Sequence, residues 1–336
     1  MAQGTAAAED LMSVASEPIL LGDIGGTNAR LALFRSGRVG PVETLSVADY
    51  PRITDALRAF LARRTNHAFA SGAMLAVAGP IQNGRSALTN SPWIVNTAEL
   101  RETFGWSAVR VINDFEALAW SLPHLGASDL FAIGGGEPVA TAPSVVLGPG
   151  TGLGVSCFVP GARGAAVVAS EGGHATLAAT CRREDKIIEH LRGRFGHVSA
   201  ERVLSGDGLV NLYQAVGLID RVPAGARTAA EITAAALDGS CAICRQALDF
   251  FCAMLGTFAG STVLTFGARG GVYIAGGIAP RIRAYLAKSE FRARFEAKGR
   301  FKSYLAAIPT AVISHPEPAF VGLEWLARQA YDGERG

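Results

Sequence analysis

Charge is scarce in this chain. Of its 336 residues only 18% are Asp, Glu, Lys or Arg, the formal net charge is +2, and no long basic run occurs. A nucleic-acid binder displays a basic stripe, so that class is disfavoured. Uninterrupted apolar runs fall well short of the roughly 20 residues a membrane span needs. The opening residues MAQGTAAAEDLMSVASEP have neither the basic start nor the continuous apolar core of a signal peptide. Residues 1–18 are therefore expected to be a disordered N-terminal tail. Cysteine is sparse too: Cys157, Cys181, Cys241, Cys244 and Cys252 are odd in number and scattered, which argues against a disulfide framework. Cys241-Ala-Ile-Cys244 has the C-x-x-C spacing, but no second Cys or His pair follows at zinc-ligand spacing. At the head of a long apolar stretch, the two read as thiols buried in a helix. These absences together describe a reduced, soluble, cytoplasmic protein with no nucleic-acid or membrane partner.

What the chain does have is apolar material, at 49%, and 40 glycines clustered in short motifs. Its length suits two modest domains or one elaborate α/β unit. Val-, Ile- and Leu-rich segments bounded by Gly or Pro predict strands at Ile19–Asp23, Ala29–Phe34, Glu43–Val47, Met74–Ala78 and Val109–Asn113. Further strands are predicted at Ser144–Gly148, Gly154–Val159, Ala165–Ala169, Val272–Ala275 and Ala311–Ser314. Helical periodicity runs over Asp49–Arg64, Glu184–Arg194, Gly208–Val216, Ala229–Leu237, Cys241–Phe266 and Phe320–Tyr331. A strand-rich first half and a helix-rich second half predict α/β architecture with helices packed on sheets.

Two segments share one grammar: LLGDIGGTNARLALF and VVLGPGTGLGVSCFV each read apolar strand, Gly-rich loop with a Thr, apolar strand. A duplicated α/β core would set two such hairpins face to face; two ordinary glycine hairpins would look the same. In the first loop, Gly22-Asp23-Ile24-Gly25-Gly26-Thr27-Asn28, successive glycines let backbone N–H groups turn toward an anion. Thr27 and Asn28 add side-chain donors. Asp23, ending the strand, offers the hard oxygen that suits Mg²⁺, directly or through water. The loop lacks G-K-[ST], so it is no P-loop, and a strand rather than a helix follows it, so it is no dinucleotide fingerprint. The second loop, Gly148-Pro149-Gly150-Thr151-Gly152-Leu153-Gly154, offers the same phosphate cradle. The turn carrying Gly276 and Gly277 would let a flat base or ribose approach the backbone, or serve simply as a strand-to-helix turn.

Acids complete the pattern. Val111-Ile112-Asn113-Asp114-Phe115 runs an apolar strand into an Asn-Asp pair, and carboxylates at the C-terminal ends of strands are a usual place for chemistry in α/β sheets. Asp114 can accept a proton from a sugar hydroxyl attacking a γ-phosphoryl group, with Asn113 bonding the adjacent hydroxyl. Asp114 would equally serve as the N-cap of FEALAWSL. Glu171-Gly172-Gly173-His174 provides a carboxylate and an imidazole fit for sugar hydroxyls. Glu201, at what reads as a helix start, is by itself better explained as a capping or dipole residue than as a ligand.

GDIGGTNARLAL, LTNSPW, INDFEALA, GPGTGLGV, EGGH, HVSAERVLSGDGLVNLY and VYIAGGIAPR, in this order over about residues 19–330, resemble the bacterial glucokinases of the proteobacterial type. The resemblance implies an actin-like (ribonuclease H-like) duplicated fold, two α/β domains around a cleft. It implies residues 19–122 plus 315–336 as a small domain with the first phosphate loop, the C-terminal helix returning to it. Residues 123–314 would form a large domain with the second loop, the sugar ligands and the nucleotide site. It implies ATP with Mg²⁺, phosphoryl transfer to the 6-hydroxyl of glucose, and a cytoplasmic homodimer. Asp114 is then the catalytic base; Asn113, Asp114, Gly150, Glu171, His174 and Glu201 contact the sugar; and Asp23–Asn28 with Gly150–Gly152 hold the phosphates. Departures are the N-terminal extension, Pro149, which removes a backbone donor, and Ala-Thr-Leu after His174 where some members carry an acid. The Cys-rich zinc motif of the repressor–kinase relatives is not assembled. Kinases of fructose, mannose or amino sugars would use the same machinery. A non-catalytic sugar sensor would tend to lose Asp114 or a loop, and an actin-like ATPase would not need the sugar constellation.

Overall fold

The structure is a computed structural model that describes residues 18–64, 70–88 and 91–332. The tail over 1–17 and the Thr-Asn of the LTNSPW motif lie outside the described residues. Pro18, expected to end the tail, already belongs to the fold: it is buried and its carbonyl accepts the N–H of Ser71. The chain divides into two compact units, one running to Leu125 and resuming at Pro316, the other Gly126–His315.

In chain order the first unit contains β1 (Ile19–Ile24), β2 (Asn28–Arg35), β3 (Arg38–Val39), β4 (Glu43–Ser46), α1 (Ile53–Ala62) and β5 (Gly72–Val77). β6 (Arg85–Ala87), β7 (Ile94–Asn96), α2 (Thr97–Phe104), β8 (Ala108–Asn113) and α3 (Asp114–Ser121) follow, and the C-terminal helix Pro318–Asp332 completes it. The main sheet runs β3-β2-β1-β5-β8, with β4 also on β2. β1 is antiparallel to β2 and parallel to β5, which is parallel to β8. β1 and β5 are nearly continuous apolar runs because both their faces are covered. Leu20, Leu31, Ala73 and Leu75 pack with Ile53, Leu57 and Phe60 of α1. Against α3 lies the C-terminal helix, where Trp120 stacks on Trp325 with ring centroids 4.6 Å apart.

The helix expected over Asp49–Arg64 is broken. Val47–Asp49 is a short 3₁₀ turn and α1 starts at Ile53. Pro51 explains the gap: the residue before a proline is pushed out of the helical region, and Tyr50 is extended at φ −132°, ψ 127°. Helix α2 was not anticipated, although its signals were present. Asn96 caps the N–H groups of Ala98 and Glu99, and Gly105 closes the helix in the left-handed region at φ 68°.

The second unit contains β9 (Leu130–Gly134), β10 (Ser144–Pro149), β11 (Leu153–Val159), β12 (Ala166–Ser170), α4 (Arg182–Phe195), α5 (Gly206–Asp220), α6 (Ala229–Leu237) and α7 (Ala242–Phe266). Then come β13 (Gly271–Ile274), α8 (Ala279–Leu286), α9 (Phe291–Glu296), α10 (Lys302–Ala306) and β14 (Thr310–Ile313). Its sheet runs β12-β11-β10-β13-β14-β9. β10 is antiparallel to β11 and parallel to β13, which is parallel to β14. Each unit thus sets a glycine hairpin beside two further parallel strands. Helix α7 is long and apolar enough to cross a membrane by length and composition, yet 78% of its most apolar window is buried inside the unit. Leu248, Phe251, Cys252 and Leu255 on it are fully buried, packing with residues of α5, α6 and α9.

Candidate functional site

The two units carry separate halves of the predicted site. In the first, Ile24 pairs with Val77, and Val77 with Asn113, so the C-terminal ends of β1, β5 and β8 stand level. At about 4.8 Å per strand, the glycine turn and the Asn-Asp pair are roughly 10 Å apart on one sheet edge. The turn closes through the Gly25 N–H donating to the Asn28 carbonyl at 3.0 Å, leaving Thr27 and Asn28 exposed. Gly22 and Ile24 support it from within β1, where Ile24 is fully buried and its carbonyl accepts the Ala78 N–H.

Asp23 lies directly across the hairpin from Arg30, with guanidinium and carboxylate 3.2 Å apart. Burial raises the Asp23 pKa, the attraction and hydrogen bond of Arg30 pull it down, and Glu317 raises it again. This half-buried anion is incompletely compensated, and a divalent cation arriving with phosphates would offset its charge; among the described residues no cluster of three metal-ligating side chains exists. Mg²⁺ retains much of its water and takes one or two carboxylates, so Asp23 fits it. Arg30 was missed in sequence, although hairpin register sets it opposite Asp23.

Asn113, not Asp114, is the helix cap. Its Oδ1 accepts the Phe115 N–H at 2.9 Å, and its Nδ2 donates to the Gly79 carbonyl at 3.4 Å. Asp114 is the first helical residue, partly exposed, with Oδ1 accepting the same N–H at 3.0 Å. A carboxylate in the first turn is favoured by the helix dipole and gains orientation there.

In the second unit, folding draws three distant segments around the second turn. The Gly150 N–H donates to the Gly152 carbonyl, and the Gly150 carbonyl accepts the Gly206 N–H, each at 2.8 Å. Thr151 is exposed. Glu201 does not cap a helix. Ser205 caps α5 by accepting the Gly208 N–H, while the Glu201 carboxylate accepts the Leu153 N–H at 2.9 Å. His174 stands between two carboxylates, Nε2 3.7 Å from Glu171 and Nδ1 3.9 Å from Glu201. Glu171 and His174 are well exposed, their side chains 67% and 59% accessible, and can meet a polyhydroxylated ligand. Gly276 takes a positive φ of 81° against the Pro149 carbonyl, where a Cβ would come within 2.5 Å; Gly276 and Gly277 are exposed. Gly173 was overlooked. A Cβ there would lie 1.9 Å from the Leu153 carbonyl, so the EGGH turn packs on the glycine loop only with glycine at that position.

Two α/β units, each presenting a glycine-rich strand–turn–strand from the same place in its sheet, define the actin-like, ribonuclease H-like fold class. Within that class the particular family is settled by sequence. The chain belongs to the glucokinase family, whose model matches residues 20–330. It is 51% identical over 314 residues to a glucokinase of Paramagnetospirillum magneticum, covering 93% of this chain and 98% of that protein. A glucokinase crystal structure from an Antarctic psychrotroph matches with TM-score 0.83 at 37% identity, over 93% of this chain and 99% of that one. A glucokinase of Balamuthia mandrillaris in complex with glucose shares the fold, with TM-score 0.77 at 23% identity over 97% and 99% of the two chains.

Proposed function

We propose that this chain transfers the γ-phosphoryl group of ATP to the 6-hydroxyl of glucose, with Asp114 as general base. One observation carries the reading. Asp114 directly follows a parallel strand that ends on the same sheet edge as the glycine turn Gly25–Asn28, and is fixed in the first turn of α3. Phosphoryl transfer asks little covalent chemistry of a protein and much positioning. The turns at Gly25–Asn28 and Gly150–Gly152 offer backbone N–H groups to the phosphates, and Gly276 and Gly277 leave room for the nucleoside. Magnesium bound with ATP would be held near Asp23 through water and would neutralise phosphate charge. Asn113, Glu171, His174 and Glu201 orient the sugar by hydrogen bonds to its hydroxyls. Asp114 accepts the proton of the attacking hydroxyl.

The same proposal makes the protein a cytoplasmic homodimer, a small domain over 19–122 plus 315–336 and a large one over 123–314. Membership of the glucokinase family supports glucose over other hexoses. ADP release measured with glucose, fructose, mannose and glucosamine, and with ATP, ADP and polyphosphate as donors, tests it. Glucose with ATP is expected to be the preferred pair, and a clear preference for another sugar or donor overturns it. For Asp114→Asn, kcat is expected to fall about 10²- to 10⁴-fold with glucose KM little changed; near-wild-type turnover would sink the base assignment.

A further inference from the structure

The C-x-x-C at the head of α7 is not the buried helical pair its sequence suggests. Cys241 is the N-cap, its backbone extended at φ −138°, ψ 111° and its side chain partly exposed. Its sulfur accepts the Cys244 N–H at 3.5 Å. Cys244 has no solvent exposure and sits in the unit's core. One sulfur is thus open to reagents and the other lies one turn on, behind it. Residues three apart at a helix start have Cα atoms about 5 Å apart, inside the span of about 4.4–6.8 Å that a disulfide bridges. The hydrogen bond with Cys244 lowers the Cys241 pKa, and the nearby Arg227 guanidinium adds to this. Burial pushes Cys244 up to about 12. Cys157 and Cys252 are both buried, and burial raises their thiols to about 11 and about 12. Cys241 therefore combines access, a lowered pKa and a second thiol within one turn.

We propose that Cys241 and Cys244 form a redox dithiol that exchanges with low-molecular-weight disulfides. The Cys241 thiolate attacks one sulfur of the disulfide RSSR, forming a mixed disulfide and expelling RS⁻. The Cys244 sulfur then attacks the Cys241 sulfur, closing the intramolecular bond, and its proton leaves with the second thiol. In balance, two protein thiols are oxidised, one RSSR is reduced to two RSH, and the Cys241 proton ends on the first RS⁻. Cys244 needs no solvent access, because its target is the neighbouring sulfur.

The test uses the whole chain with oxidised glutathione, followed by non-reducing trypsin digestion and peptide masses. Cleavage after Arg227 and Arg245 yields one peptide, 228–245, holding both cysteines and no other. Expected is that peptide lighter by two hydrogens, with no glutathione retained. Cys181, exposed and alone in its tryptic peptide, is expected to keep glutathione as a mixed disulfide. Cys244→Ser should trap one glutathione on Cys241. Cys241→Ser should leave Cys244 unmodified; serine is a good N-cap, so this variant keeps the helix start. A wild-type 228–245 peptide that stays fully reduced, or that retains glutathione, overturns the proposal.

Discussion

The turn after β1 is braced from within its own hairpin, and the turn after β10 by segments distant in the chain. Around the first, Asp23 and Arg30 face each other within a single hairpin, and the remaining support comes from adjacent strands. Around the second, the Gly206 N–H donates to the Gly150 carbonyl, the Ile278 N–H donates to the Pro149 carbonyl, the Glu201 carboxylate accepts the Leu153 N–H, and Gly173 packs against the Leu153 carbonyl. Two loops of one grammar thus reach the same form by a local and a non-local route. A local brace tolerates sequence change a few residues away. A non-local one fails when Gly173 or Gly276, distant in the chain, acquires a side chain.

The largest expected effect is kinetic. Asp114→Asn, in the first unit, should cost about 10²- to 10⁴-fold in kcat while leaving folding intact, read by steady-state assays beside thermal melts. Gly173→Ala should do the reverse. The Leu153 carbonyl leaves no room for a methyl group, and backbone cannot yield as a flexible side chain does. A loss of about 3 kcal/mol is expected in urea unfolding; an unchanged midpoint would show that the second turn is not clamped there. Glu201→Ala should cost about 1–3 kcal/mol, because the Leu153 N–H loses a charged acceptor, and should raise glucose KM about 10- to 100-fold.

The smallest expected effect has the opposite sign. Burial is the dominant influence on Asp23 and raises its pKa. Its charge therefore costs stability once pH rises through the folded-state pKa, and costs nothing below the unfolded carboxylate range near pH 4. Asp23→Asn should raise the melting temperature by about 1–3 °C at pH 7 while lowering activity. The gain should shrink toward pH 4. A melting temperature that falls at pH 7 would mean the Arg30 pair stabilises more than burial costs.

Much of the fold was readable along the chain. Strands such as Ser144–Pro149 and helices such as Ala229–Leu237 follow from apolar runs and 3.6-residue periodicity, which are local properties. The Asn113-Asp114 and EGGH motifs were recognisable because they sit at element ends. Roles within them were not. Which of Asn113 and Asp114 caps α3 depends on side-chain rotamers. Glu201 looked like a helix cap until its carboxylate was seen to reach Leu153, 48 residues earlier. The C-x-x-C looked buried because composition reports a whole stretch, while exposure differs between residues three apart. Strand β9 precedes β10 in the chain yet lies at the far edge of the sheet beside β14, an order that hydropathy does not encode.

By itself the sequence determined the two glycine hairpins, the acid-bearing strand end and the family, since each is written in contiguous residues or in their order. Tertiary structure alone decided what holds each hairpin, where Glu201 points and which cysteine meets solvent. Those outcomes rest on contacts between residues tens of positions apart. Backbone groups removed from water must find partners wherever the chain brings them.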